Sequence, residues 1–301
     1  MTPHEYLQTQ IDNNKLSEEE QNNVSERKQK IEEKLRGEFG SKIQSIKYSG
    51  SISKGTAVKN SHDIDIALHF KNDSFSTLKE MYDSVYDFLE KHYKVRKQKV
   101  SIGLPGQDVD VVPGRRINPD DSSDNDVFLY RTDNDSRIKT NIEKQKNAIR
   151  DSGSKEIIKL CKIWRDNWDL EFKSFALELL VIKALEDFDG KGYDNKFRKL
   201  LEYIRDNVES VTLTDPGNSN NDVAETVESS EKKLFKSTAK ECIKFLDDAE
   251  QSEEDKDDNI LNAWKKVFNE STNNESNGSA TSNRFMMPTQ DYRVQSNRHH
   301  G

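Results

Sequence analysis

The stretch GSISKGTAVKNSHDIDIALHF, residues 50–70, decides how this chain is read. Its second half alternates. In a β-strand the side chains at i and i+2 share a face, so Asp63 and Asp65 project together while Ile64 and Ile66 turn toward a core. Two neighbouring carboxylates repel unless a cation lies between them, which makes the pair a candidate divalent-metal site. With 55 acids in 301 residues, about ten such pairs arise by chance, so the pair alone decides little.

Its surroundings decide more. Forty-five positions later Asp108-Val109-Asp110-Val111-Val112-Pro113 reads as a second strand, its acids on one face and its valines on the other. Carboxylates in otherwise apolar strands need a compensating ion. Upstream, Gly50-Ser51 follows the strand IQSIKY, and Lys54-Gly55-Thr56 comes within a turn. Small residues let backbone N–H groups approach a phosphate, and a serine hydroxyl and a lysine can contact its oxygens. A Gly-Ser pair is otherwise an ordinary turn, and the G-x-x-x-x-G-K-[ST] loop is absent.

The chain falls into four blocks. Residues 1–40 form a charged N-terminal helical segment with Val24, Ile31, Leu35 and Phe39 on one narrow stripe, and Gly37 and Gly40 at its end. Residues 41–135 switch to period two in IQSIKYSGS, DIDIALHF, KVRKQKVSIGL and QDVDVVPG, with FLYRT (128–132) as a further strand. Within this block STLKEMYDSVYDFLEKHY is an amphipathic helix, which makes the block an α/β sheet domain. Residues 136–270 return to helices in KEIIKLCKIWRDNW, FKSFALELLVIKALEDF, KFRKLLEYIRDNV, EKKLFKSTAKECIKFLDDA and NILNAWKKVF. The second of these is apolar nearly all round and belongs at the centre of a helical domain. Residues 271–301 are Ser/Asn-rich without periodicity and read as a disordered tail.

Composition removes several classes. Hydrophobic residues make up only 32% of the chain, and no run reaches the roughly 18 apolar residues of a membrane span, so no membrane partner is expected. The start MTPHEYLQTQ has no signal-peptide character. Cys161 and Cys242 sit in apolar helical patterns and read as buried hydrophobes, so a cytoplasmic location is expected. Trp164, Trp168 and Trp264 read as core aromatics. The net charge of −8 argues against a nucleic-acid coat. Lys91, Lys94, Arg96, Lys97 and Lys99, followed by Arg115 and Arg116, form a basic run that could guide nucleotides or a polyanionic activator, its plainer reading being a solvated hairpin.

Taken together, Gly-Ser, eleven further residues, Asp-Ile-Asp and a third acid on a later strand resemble the signature of the DNA polymerase β-type nucleotidyltransferase superfamily. GSISKGTAVKNSHDIDIALHF followed by VDVVPGR is similar in particular to the cGAS/DncV-like nucleotidyltransferases, bacterial enzymes that make cyclic oligonucleotide signals in phage defence. IIKLCKIWR, FKSFALELL and DPGNSNND resemble segments of the same family, so the likeness covers about residues 40–270. It implies an α/β nucleotidyltransferase sheet domain packed against a helical domain, with the active site in the cleft between them. It implies that Asp63 and Asp65 hold two Mg²⁺ ions (Mn²⁺ being a substitute) and that Asp110 completes the site. Asp108 is then an assisting residue or a bystander, and His62 only borders the pocket. Gly50 and Ser51 would hold β- and γ-phosphates, and Lys162 and Ser174 would contact the donor triphosphate.

The activity so implied is condensation of NTPs into a cyclic di- or trinucleotide with release of pyrophosphate. A template-independent transferase acting on RNA ends or a protein, and a catalytically silent nucleotide-binding protein, are the rival readings. Nucleic acid is not required by any of these residues. The resemblance also makes Gly301 a candidate point at which a ubiquitin-like transferase of the defence system would join the chain to a target.

Overall fold

A computed structural model describes residues 1–59, 64–119, 124–253 and 255–270. Asp63, His62, the segment 271–301 with Gly301, and the histidines 299 and 300 lie outside the described residues.

Among the described residues, seven strands form one sheet. Five run in the order β1 (Ile43–Ser49), β2 (Ile64–Phe70), β5 (Val109–Arg116), β4 (Ile102–Leu104) and β3 (Arg96–Lys97). The other two, β6 (Val127–Arg131) and β7 (Ser136–Thr140), extend from the far half of β5. β2 and β5 pair in parallel, and every other pairing is antiparallel. The parallel pair needs a long connection. Helix α4 (Leu78–Glu90) and the β3–β4 hairpin fill it. Thr77 caps α4 by accepting from the Glu80 N–H at 3.0 Å.

One face of the sheet is the first core. Ile64, Ile66, Leu68 and Phe70 of β2 are fully buried there against Met81, Tyr82, Val85 and Leu89 of α4. Helix α2 (Glu18–Phe39) covers the same core with Val24, Ile31, Leu35 and Phe39, the stripe read from the sequence. Ser17 and Glu20 close α2's start as a capping box, and Gly40, at φ +42°, ends it. The opposite face carries Lys47, Asp65, His69 and Asp110. Helix α5 (Ile142–Asp151) lies on that side, its Glu143 Oε1 3.0 Å from Lys47 Nζ.

The second core is helical: α6 (Lys155–Asn167), α7 (Ser174–Ala184), α8 (Tyr193–Asn207), α9 (Ser229–Glu250) and α10 (Lys256–Val267). As its sequence requires, α7 is buried on nearly every side. Cys161 and Cys242 are fully buried, and Cys242 Sγ accepts from Trp164 Nε1 at 3.4 Å. Trp164 and Trp264 are core, while Trp168 is partly buried with its indole N–H donating to the Val267 carbonyl at 2.7 Å. No helix among the described residues is long and apolar enough to cross a membrane.

Three expectations change. The first block is two helices serving different cores, since α1 (Pro3–Asn13) buries Tyr6, Leu7 and Ile11 in the helical core while α2 belongs to the sheet. KVRKQKVSIGL is the β3–β4 hairpin rather than one strand, because the chain leaves β3 after Lys97 and turns through residues 98–101, closed by the Gln98 N–H on the Ser101 carbonyl. The helical block begins after β7, no residue of which is fully buried; its first helix, α5, buries Ile149 in the helical core. DPGNSNND folds as a small hairpin of β8 (Thr214–Asp215) and β9 (Asn218–Asp222).

His69 gives the sheet a pH dependence. Burial, with Arg116 and Lys47 adding to it, pushes its imidazole down to about 4. The folded chain therefore favours the neutral ring, and this contribution is complete above pH 6.5 and lost as pH falls toward 4. About 2 kcal/mol should go between pH 7.5 and pH 5. Urea melts of wild type and His69→Leu at both pH values check this; equal pH slopes would refute it.

Candidate active site

The site is built on the parallel pair. In register, Asp65 of β2 is the Cα partner of Asp110 of β5. Their neighbours Ile64, Ile66, Val109 and Val111 are buried in the sheet core, so both half-buried carboxylates stand together on the other face. Paired strands lie about 4.8 Å apart, close enough for the two charges to repel strongly without a cation.

β1 completes the floor. Ser49 is the register partner of Asp65, and immediately after it the chain turns into the short helix α3 (Gly50–Lys54). Gly50 sits at φ +63°, and a Cβ placed there would lie 1.7 Å from Asp65 Oδ2. The carboxylate thus occupies the space a side chain would need, and only glycine permits both this backbone and this approach. Ser51 is half-buried next to it, and Ser53 donates its hydroxyl to the Gly50 carbonyl at 3.1 Å.

The far end of α3 is held by a buried ionic cluster. Glu178, on the otherwise apolar α7, is 1% exposed. Its Oε2 lies 2.8 Å from Lys54 Nζ and its Oε1 2.8 Å from Lys162 Nζ. Thr56 Oγ1 donates to Glu178 Oε1 at 2.5 Å, and Lys162 Nζ donates to the Thr56 carbonyl at 3.1 Å. Lys54 Nζ also stands 4.3 Å from the centre of the Phe175 ring. Burial opposes ionisation of Glu178, yet the two ammonium groups hold its carboxyl below the usual value. Burial pulls Lys162 down from its ordinary value, and Glu178 only partly offsets this.

The remaining sequence candidates scatter. Ser174 is exposed at the start of α7 and accepts from Arg165 Nη1 at 3.2 Å. Asp108 does not share a strand face with Asp110: it precedes β5 at φ +50°, breaking the alternation, and its exposed carboxylate bonds Arg27 Nη1 of α2 at 3.1 Å. In the basic run, Lys91, Lys94, Arg96, Lys97 and Lys99 are exposed on and before the β3–β4 hairpin. Arg115 and Arg116 leave that surface, Arg115 donating to the Phe75 carbonyl at 2.7 Å and Arg116 being buried.

Glu178 was not singled out in the sequence, and Thr56 was read only as part of the Lys54-Gly55-Thr56 turn. A lone carboxylate in the apolar run FALELLV was the available signal, since a buried acid requires partners. Among the described residues, no three metal-binding side chains are grouped. Asp65 and Asp110 nevertheless fit a hard divalent cation: paired carboxylates, half-exposed, beside a glycine that leaves room at Asp65.

Residues 1–119 match the family model of the Second Messenger Oligonucleotide or Dinucleotide Synthetase (SMODS) domain, a span running from α1 through β5. The likeness to cGAS/DncV-like nucleotidyltransferases read from the sequence is borne out. A curated relative, the cyclic AMP-AMP-AMP synthase of Escherichia coli (strain MS 115-1), is 26% identical over 185 residues, 52% of this chain. The match spans 55% of that relative, little more than half its length. The solved structure of E. coli MS115-1 CdnC with ATP aligns at TM-score 0.69 and 20% identity, covering 88% of this chain and 97% of that one. Vibrio cholerae DncV cyclic AMP-GMP synthase, solved with a linear intermediate, aligns at TM-score 0.57 and 16% identity, covering 76% and 69%. These likenesses establish a nucleotidyltransferase fold joined to helices, with the SMODS portion carrying Gly50, Asp65 and Asp110.

Three variants test the site's construction. Glu178→Ala, which strands two buried ammonium groups, should cost about 3–5 kcal/mol, whereas the triple change Lys54→Met/Glu178→Met/Lys162→Met should cost less. Urea unfolding compares them; a triple variant less stable than Glu178→Ala contradicts the assignment. Gly50→Ala should be worse than the ordinary glycine-to-alanine change, destabilising by more than about 1 kcal/mol in the same assay.

Proposed function

We propose that this chain joins NTPs into a cyclic di- or trinucleotide, releasing one pyrophosphate for each bond made. The observation that carries the reading is the in-register pair Asp65–Asp110 with Gly50 set against Asp65. This is a geometry for holding a triphosphate's metal ions beside a glycine-opened turn. In each step a ribose hydroxyl oxygen bonds the α-phosphorus and the bond to the β-phosphate breaks.

Asp65 and Asp110, with Asp63 outside the described residues, would hold two Mg²⁺ ions, for which Mn²⁺ can substitute. Bound there, the ions lower the hydroxyl's pKa and neutralise charge on the transferring and departing phosphates. The chain's own groups do the positioning. The Gly50 and Ser51 turn offers backbone N–H groups and a hydroxyl to the β- and γ-phosphates. Lys54 and Lys162, drawn together by Glu178, fix that turn from beneath and place positive charge behind it. Ser174, being exposed, is able to meet the nucleotide directly.

ATP is the first substrate to test, because a relative is named a cyclic AMP-AMP-AMP synthase. A cytoplasmic setting belongs to the same reading.

The test is incubation of the full chain with four labelled NTPs and Mg²⁺, then phosphatase and mass spectrometry. A phosphatase-resistant product should form, and Asp65→Ala or Asp110→Ala should lower its rate about 10³-fold, several kcal/mol of transition-state stabilisation. Product that appears only with an RNA or protein acceptor would replace this reading with end-labelling. Undiminished product from both variants would remove the two acids from the chemistry.

A further inference from the structure

The β3–β4 hairpin, prominent in the sequence for its exposed cations, also sends one neutral side chain inward. Gln98 follows β3, and its Nε2 donates to Asp110 Oδ1 at 3.2 Å. Ser101 Oγ contacts Gln98 Oε1. Chemistry fixes which way the amide faces: a carboxylate only accepts, so the NH₂ must point to Asp110 and the carbonyl oxygen to the serine hydroxyl.

The turn bearing this amide is secured on every side. Gln98 N–H donates to the Ser101 carbonyl at 3.0 Å, closing residues 98–101. Tyr82 of α4 donates its hydroxyl to the same Ser101 carbonyl at 2.9 Å, and is 1% exposed. Thr132, beyond β6, donates Oγ1 to the Gln98 carbonyl at 2.9 Å, and its N–H donates to the Lys99 carbonyl at 2.9 Å. A loop merely joining two short strands needs none of these tethers.

A second, independent feature makes room for the amide. Gly103 of β4 is the register partner of Asp110 on the side away from Asp65. A Cβ at Gly103 would lie 2.8 Å from Gln98 Nε2 and 3.2 Å from Asp110 Oδ1. Any other residue there would push against the contact between amide and carboxylate. Asp110 is thus flanked by Asp65 on one strand and, across a glycine gap, by a donor whose own orientation is set.

We propose that Gln98 is a positioning residue for the nucleotidyl-transfer site, aiming the Asp110 carboxylate toward Asp65 and a shared divalent cation. The inference rests on the proposed metal-assisted reaction. The donated N–H draws charge on one Asp110 oxygen toward the amide and restricts rotation of the carboxylate, so a cation meets a ligand already in place. Removing such a donor typically costs 10–100-fold in metal affinity or activity.

The test uses the full chain and the variants Gln98→Met, which keeps length and loses the donor, and Ser101→Ala, which frees the amide to rotate. Mn²⁺ binding is measured by electron paramagnetic resonance without nucleotide, and turnover with NTPs separately. Gln98→Met should weaken Mn²⁺ binding about tenfold and lower kcat by a similar factor, with KM for NTP nearly unchanged and the urea midpoint retained. Ser101→Ala should fall between it and wild type, and provides the comparison if Gln98→Met does not fold. Wild-type Mn²⁺ affinity and kcat in both variants would overturn the proposal, as would a loss confined to KM. Because Mn²⁺ binding needs no turnover, a chain that joins no nucleotides refutes the proposed activity while the binding comparison still decides the role of Gln98.

Discussion

A single buried carboxylate holds the two halves of this chain in working relation. Glu178 lies within the most apolar helix of the molecule, where an unpaired charge would cost several kcal/mol. It is retained because two lysines and a threonine converge on it, one lysine and the threonine from the segment that follows the Gly-Ser turn and the other lysine from α6. The cluster sets two lysine amines against one carboxylate, and burial pulls Lys162 down from its ordinary value. The cluster cannot rearrange cheaply, so α3 is fixed at one end by Glu178 and at the other by the approach of Gly50 to Asp65.

From that constraint the geometry of the acids follows. The β2–β5 register sets Asp65 beside Asp110, and the apolar residues alternating with them are committed to the core beneath α2 and α4. A slip of one residue would bury both carboxylates and expose the isoleucines and valines, so the hydrophobic face enforces the position of the polar one. Two glycines then shape the rim. Gly50 admits the Asp65 carboxylate, and Gly103 admits the Gln98 amide to Asp110. The match of residues 1–119 to the SMODS model fits this division, since that span contains both acids and both glycines.

Strong periodicity carried through to the structure. The stripe Val24, Ile31, Leu35 and Phe39, the face of α4 and the largely apolar α7 were legible because each buries enough side chains to impose its period. β7 and α5 were not, since their sequences bury almost nothing and are held by neighbours instead. Asp108 misled because alternation was extended one step past the strand: its positive φ turns the chain, and Arg27 of a helix distant in sequence takes its carboxylate. The same limit applies to α1: residues 1–40 read as one helical segment, and only the tertiary structure assigns Tyr6, Leu7 and Ile11 to the other core.

By itself, the sequence determined the mixed α/β character, the strand faces that carry Asp65 and Asp110, and the glycine-serine turn upstream of them. These depend on period-two alternation and on residue types whose backbone freedom is intrinsic, so they are local properties. Tertiary structure alone decided that Asp65 and Asp110 are register partners and that Lys162 spends its charge on Glu178 and Thr56. It also decided that one glutamine in a lysine-rich hairpin faces the acid. Those facts join residues 45, 16, 106 and 12 positions apart, and no local pattern encodes which distant partner a buried charge or an amide will meet. Packing supplies the partner, because a charge taken out of water is stable only where the fold brings its complement within hydrogen-bonding distance.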